Sequence, residues 1–592
     1  CSAQCQVEMH SKQGKVMRVT SEDGVTVNDG NLCVGGFFGH DYLNSDQRLT
    51  APLVAQQETS WEVALDKVVS ELSILREEQG GQAIAGLASP HLTNEENYLF
   101  QKLFRVALNS NNIDSEARFS SLRAVKVLNE QLKLNGASNP MDRIGAAEAV
   151  LVFGADLRSE SPALNWQVQL AARKNDTRLI VANQRQTKLV KQAESFLQYR
   201  AGSEASLAGA LAKLLLDKGQ ADNDYLNRFV ANRDELDHYL GNLDIDAACA
   251  ASGVKRAQLE DAAEHLGQAS TVAIIIGRDV MASAQAEGAV AALANLAMVS
   301  GALHGDQGGL FPVASKGNTQ GLIDAGVAPE FLPGLVDYAA GKEQYASAWH
   351  TTLPEGGADA TGILSGIEQG TIKALFLAGT NPLVNFPESN RWRKALEKLE
   401  FLVVQDILSS DLTRLAAVVL PGSASAEKRG SVTSLDQRVN KLRIAVAAPG
   451  EARPDLAIFS ELFARLTGKP EPSENAIRQE MMSLSGSYAD VCQSLEQSNF
   501  CWKQAYTPEN KSLTAATPEL ASPATAEMQL LVGKCPFQFG TTTTYSAANN
   551  ELAPAGLIIV NPEDAAKLGI ADGGQIKVTG PAGSASGKVM VN

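Results

Sequence analysis

The sequence predicts an α/β fold with parallel sheets, and three observations predict it. Apolar runs of about five to seven residues recur along the chain, as in AEAVLVFGAD, TRLIVANQR, STVAIIIGRD, IKALFLAGTNP and LEFLVVQDI. These runs alternate with stretches of helical spacing, and strands apolar on both faces belong to sheets covered on both sides. The texture also changes at the two ends, where short alternating strands and turns replace this pattern. At least two doubly wound modules are therefore expected between the ends.

In chain order, GKVMRVTSEDG alternates and ends in a turn, which suits a small antiparallel unit too thin to stand without a metal or a partner. WEVALDKVVSELSILREEQ is an amphipathic helix, AIAGLAS a short buried strand and NEENYLFQKLFRVAL a second helix. AEAVLVFGAD, ALNWQVQLAARKN and TRLIVANQR make a β-α-β unit, and AVAALANLAMVSGAL is a buried helix after STVAIIIGRD. From about Glu471 to Ala526 the chain is polar and mixed, read as helix and linker. From Met528 it turns β, with MQLLVG, GLIIVN, GQIKVTG and GKVMVN as strands of a barrel. The sequence starts at a cysteine and stops in a strand-like run, so it is expected to be part of a longer polypeptide.

Length and charge narrow the function. The 592 residues suggest roughly four domains. A net charge of −16 and a pI near 5.1 argue against a nucleic-acid binder or an anionic-membrane binder, both of which need a positive footprint. No apolar run approaches the roughly 18 residues of a membrane span, so no direct insertion is expected.

Of seven cysteines, three fall in the first 33 positions: Cys1, Cys5 and Cys33. Seven are too few for a disulfide scaffold, and the asymmetry points to a metal-binding N-terminal corner in a reducing compartment. Two close thiolates plus a distant one suit a [4Fe–4S] cluster, which needs four ligands. The fourth is expected upstream of Cys1, with His10 and His40 as substitutes. Cys492 and Cys501 lack zinc-like spacing and are read as structural.

The same spacing resembles the C-x2-C-x3-C-x27-C of the molybdopterin oxidoreductases, with Cys1, Cys5 and Cys33 matching its last three cysteines. The resemblance continues through TNEENY (Thr93–Tyr98), SNNIDSEAR (Ser110–Arg118), VFGAD (Val152–Asp156) and ALANLAMVSGALHGDQGGL (Ala292–Leu310). GNTQG (Gly317–Gly321), GTNP (Gly379–Pro382), VVLPGSASAEKRGSVTSLDQRV (Val418–Val439) and PGEARPD (Pro449–Asp455) extend it. It implies an iron–sulfur cluster domain at 1–55, a first α/β part at 56–140, a Rossmann-like module at 141–325 and a second α/β part at 326–470. A helical linker at 471–526 and an incomplete double-psi β-barrel at 527–592 complete the division.

Within that family the sequence looks most like the formate-dehydrogenase branch, and several of the branch's working residues are replaced. The relay lysine two positions after the last cluster cysteine is Gly35. The molybdenum ligand aligns with Ser120, the histidine after it with Ser121, and the pocket arginine with Ala314. Serine ligates molybdenum in other branches, so Ser120 alone does not exclude the metal. The guanine-pairing aspartate is Asn183, a T-E-T is replaced around Ser410–Leu412, and an A-D is Ala416-Ala417. Asp406, Gly154 and Gly379 remain, the glycines as turns between strand and helix. The losses imply that a molybdopterin guanine dinucleotide is not retained.

This combination resembles the large iron–sulfur subunit of NADH:quinone oxidoreductases. The expectation is an electron-transfer and scaffold subunit with no catalytic residue of its own, joined to other subunits of an electron-transfer complex. It would be cytoplasmic and peripheral on the inner face of the membrane through those partners. The alternatives are a molybdenum or tungsten bis-pterin enzyme, such as a formate dehydrogenase-like oxidoreductase, and a structural subunit without a cluster.

Overall fold

Two parallel sheets form where the sequence places its continuous apolar strands. The computed structural model describes residues 1–592 except 25–26, 315, 489–490, 504, 521–527, 555 and 581–582. One sheet has five parallel strands, ordered Gly309–Pro312, Val272–Ile276, Ala149–Phe153, Arg178–Asn183 and Ser195–Gln198. Its middle strand shows why the run is apolar throughout. Ala149, Leu151 and Phe153 meet the helices Glu204–Asp217 and Ala286–Val299, while Val150 and Val152 meet the helix Pro162–Lys174 on the other face.

The second sheet has seven strands, ordered Gln57–Glu58, Leu53–Val54, Val418–Pro421, Phe401–Asp406, Ala374–Ala378, Ile84–Ala88 and Ile113–Ser115. The last five run parallel and the first two antiparallel. Its strands come from both sides of the five-stranded module in sequence, so the modules interleave as expected. Gly154 and Gly379 end their strands at φ +61° and +63°, the left-handed region that glycine enters without strain.

Several motifs of the family resemblance turn out to be joints. Thr93 and Glu96 form a reciprocal cap on the helix Asn94–Lys102. Glu95 accepts from the Ser431 amide, and Asn94 donates to Ser431 and Thr433. Lys428, 1% exposed, donates to Glu96 and Asp455 at 2.7 Å each. Asn318 of GNTQG donates to the Leu92 carbonyl and accepts from the Thr433 amide. Arg48 and Glu427 form a buried two-pronged pair at 2.6 and 2.7 Å, and Arg48 also holds the Leu43 and Ile407 carbonyls.

The N-terminal unit is a hairpin, Glu8–Lys12 with Lys15–Thr20, followed by the helix Val34–Phe38. The C-terminal unit pairs Leu557–Val560, Gly583–Val591 and Gln575–Gly580 in one sheet. Two expectations need correction. MQLLVG (528–533) is no strand: it lies over the first module, where the Arg278 side chain takes the Val532 carbonyl that a ladder would have used. The stretch read as helix and linker contains Glu474–Leu484 and Val491–Gln497 as helices, but Phe500–Trp502 joins Arg438–Leu442 as a strand. Three residues are too short a run for periodicity to reveal.

Candidate functional site: a cysteine corner beside a cationic cleft

The loop 1–5 is pinned from three directions. The Leu435 amide donates to the Ser2 carbonyl, and Gln4 donates to the Gly317 carbonyl at 2.6 Å. Arg438, 3% exposed, donates to the Ala3 and Gln4 carbonyls at 3.0 and 3.3 Å, with its guanidinium near the Phe500 and Trp502 rings. Cys33 opens the helix Val34–Phe38, where its carbonyl accepts from the Phe37 amide. Burial pushes the Cys5 thiol up, Cys33 adds to this, and Arg438 opposes it. Cys5 and Cys33 thus lie in one corner with residue 1.

Among the described residues no three His, Cys, Asp or Glu side chains gather as they would around a single ion. A cubane spreads its thiolates over four irons, so its ligands stand further apart than those of one ion. His10 is taken up in the hairpin by Thr20 at 2.8 Å, and His40 leads into the turn Asp41–Asn44. Phe37 and Phe38, just past Cys33, stand 40% and 49% exposed.

Gly35 packs against the C-terminal segment: a Cβ there would stand 2.7 Å from the Phe539 ring. The ring occupies the space that a side chain at position 35 would need.

Beyond Phe539 lies a cleft of about 290 Å³ lined by Ser120, Ser121, Glu116, Arg278, Lys316 and Lys534, among others. Ser121 starts the helix Ser121–Leu132, and the Ser120 side chain makes no capping bond to it. Lys316 pairs with Glu116 at 2.9 Å. Glu160, at the strand ends of the first module, accepts from the Asp156 and Arg278 amides at 2.9 Å each, and burial pushes its carboxyl up. Burial also pushes Lys534 down; Glu160 opposes this, while Arg278 and Lys316 add to it.

The strand-end positions singled out in the sequence are buried but sparsely partnered. Asn183 is fully buried; its Oδ1 accepts from the Arg185 amide, and its Nδ2 has no hydrogen-bond partner. Thr187 and Thr380 each keep a buried hydroxyl without a partner. Asp406 is pushed up to about 6 by burial, and Ser410 caps the short helix Asp411–Leu415. Ala314 and Ala416 are buried, and Ala417 is half-buried.

Comparison with known proteins places these features in a family. Residues 48–465 match the molybdopterin oxidoreductase model, and residues 1–45 match the Fe4S4 domain of molybdopterin oxidoreductases. The chain belongs to the molybdopterin oxidoreductase family. Residues 528–592 match the molydopterin dinucleotide binding domain. The NADPH-Fe(3+) oxidoreductase subunit alpha of Geobacter sulfurreducens is 42% identical over 98% of this chain and 68% of its own length. An NADH-quinone oxidoreductase subunit of Rhizobium meliloti is 30% identical over 100% of this chain and 68% of its own length. Acetylene hydratase from Pelobacter acetylenicus superposes with TM-score 0.80 at 16% identity, covering 100% of this chain and 90% of that one, which shows the shared fold.

Cys1, Cys5 and Cys33 come from a sequence signal of spacing. Arg438, Phe539, Arg278 and Lys534 carried no such signal. Arg438 sits inside a motif of the resemblance, but its task depends on a partner more than four hundred residues away in sequence. No helix among the described residues is long and apolar enough to cross a membrane.

Proposed function

We propose that the chain is an electron-transfer and scaffold subunit of a nicotinamide-linked oxidoreductase complex. In this reading Cys1, Cys5 and Cys33 hold a [4Fe–4S] cluster together with a fourth ligand, and no pterin dinucleotide is retained. A bound cluster supplies one-electron transfer. Arg438 fixes the backbone of the cysteine loop and places a positive charge beside Cys5. Phe539 packs on Gly35 and stands between the corner and the cleft.

The observation that carries the reading is the cleft itself. Among the described residues its lining includes Ser120 and Ser121 but no thiolate or imidazole, and the Phe539 ring fills the space that a side chain at position 35 would need. The exposed Phe37 and Phe38 beside the corner suit a partner subunit, through which the chain would sit peripherally on the inner face of a membrane. The donor would be NADH or NADPH bound by another subunit, and the acceptor a quinone or ferric iron, as the relatives' names suggest.

A second reading, that dinucleotide arms remain, draws on the unpartnered Asn183, Thr187 and Thr380 and on the match at 528–592. The test of the cluster is electron paramagnetic resonance of the reduced full-length protein. A cluster signal that Cys33→Ala abolishes is expected; a signal unchanged in that variant overturns the assignment.

A further inference from the structure

We propose that Arg438 tunes the redox centre of the cysteine corner as well as holding its loop: the Arg438 Nε–H and the Ser2 hydroxyl donate hydrogen bonds to the sulfurs held there and raise the reduction potential. This rests on the reading that Cys1, Cys5 and Cys33 hold a [4Fe–4S] cluster.

Two buried donors lack acceptors. Arg438 is 3% exposed, and its Nε has no hydrogen-bond partner. Ser2 is 1% exposed, and its Oγ has none either. Native chains rarely leave such donors unpaired, because each has given up its bonds to water. Both belong to the wall of one small loop. Ser2 follows Cys1, and Arg438 holds the carbonyls of Ala3 and Gln4, the two residues before Cys5.

The guanidinium fork gives the direction. Its Nε–H and one N–H of Nη2 lie parallel on one edge. Arg123 and Arg391 use that edge to grip both oxygens of Glu287 and Glu368. In Arg438 the Nη2 end of the edge is bonded to the cysteine loop, at 3.0 and 3.3 Å. The Nε–H beside it therefore faces the same loop. Burial pushes the guanidinium down, and Asp436, Cys5 and Asp142 oppose this. Asp436 does not take the free N–H; it accepts from the Ser434 hydroxyl and the Met141 amide. Cys5 is the sulfur on that side.

A sulfur of a thiolate-bound cluster accepts hydrogen bonds, and one-electron reduction adds a negative charge to it. A donor or a cation beside it favours the reduced form over the oxidised one, which raises the potential. The Phe500 and Trp502 rings stand 5.7 and 5.8 Å from the guanidinium, so apolar surface flanks the charge there and screens it less than water does.

The experiment is a redox titration of the full-length protein, purified without oxygen and followed by electron paramagnetic resonance. It reads the midpoint of the clusters present, however many a variant has lost. Arg438→Ala should shift the equilibrium about tenfold towards the oxidised form, a midpoint lower by about 59 mV for a one-electron couple. Ser2→Ala, which trims a single oxygen, should shift it severalfold in the same direction, and it decides the matter where Arg438→Ala binds no cluster. Gln4→Leu loosens the same loop by losing the 2.6 Å bond to the Gly317 carbonyl, yet keeps both donors, so its midpoint should match wild type. An unchanged midpoint in either donor variant, or an equal drop in Gln4→Leu, overturns the proposal alone. No cluster signal from the wild type overturns the reading beneath it.

Discussion

The cysteine corner and the central cleft are neighbours, separated by one phenylalanine ring, and they have fared differently. At the corner the chain keeps three cysteines, and a buried arginine, a glutamine and a leucine amide are spent on holding their loop. At the cleft Ser120 and Ser121 stand where the family resemblance implies a metal ligand and a histidine, and Phe539 of the C-terminal segment lines it. Outside both, the frame of Thr93–Glu96, Lys428 and Asp455 is intact. The contrast teaches that resemblance across a whole chain can be carried by joints, while function is decided at sites.

The frame can be broken most severely at Lys428. Its removal in Lys428→Met leaves Glu96 and Asp455 buried without their shared cation, which costs about 3–5 kcal/mol. Urea unfolding should show this loss, and an unchanged midpoint would mean that the joint does not hold the modules. The corner can be loosened separately. Arg438→Ala removes charged hydrogen bonds worth about 1.5–3 kcal/mol each from the cysteine loop, so iron content per chain should fall. Arg438→Lys should not restore it, because an ammonium lacks the flat guanidinium that lies near the Phe500 and Trp502 rings. Full iron content in either variant would show that the loop holds its shape without the arginine.

The boundary between the two regions is tested by Gly35→Lys. Its Cβ would crowd the Phe539 ring, and such overpacking costs about 1–3 kcal/mol. Adding Phe539→Ala should recover much of that loss in thermal unfolding; no recovery would place the strain elsewhere. The smallest effect concerns Glu160 in the strand-end rim. Burial lifts its pKa from 4.5 to about 7, so the folded state holds a proton there that the unfolded chain has released. This cost is absent below pH 4.5 and complete above pH 7. Wild type should therefore lose stability relative to Glu160→Gln as pH rises through that window. Parallel stability curves for the two proteins would contradict it.

The frame was legible because its causes are local and repeated. AVLVF and FLVVQD are apolar at nearly every position, as a strand covered on both faces must be, whereas the interleaving of the modules was implied only by the family resemblance. Cys1, Cys5 and Cys33 stand out in the sequence by their spacing. MQLLVG misled because its apolar texture describes side chains, whereas a strand also needs a neighbour for its backbone, and here Arg278 takes that part. Lys534 and Phe539 could not be read at all. Lys534 lines the cleft with Ser120, and Phe539 stands between that cleft and Gly35, relations that exist only in three dimensions.

The central claim is that the corner holds a cluster while the cleft holds no pterin metal. Elemental analysis of the intact protein, purified without oxygen and with its partners, tests it most directly. The account predicts iron with acid-labile sulfide, and molybdenum and tungsten at trace levels only. Molybdenum or tungsten near one per chain, with a pterin released on denaturation, would contradict it.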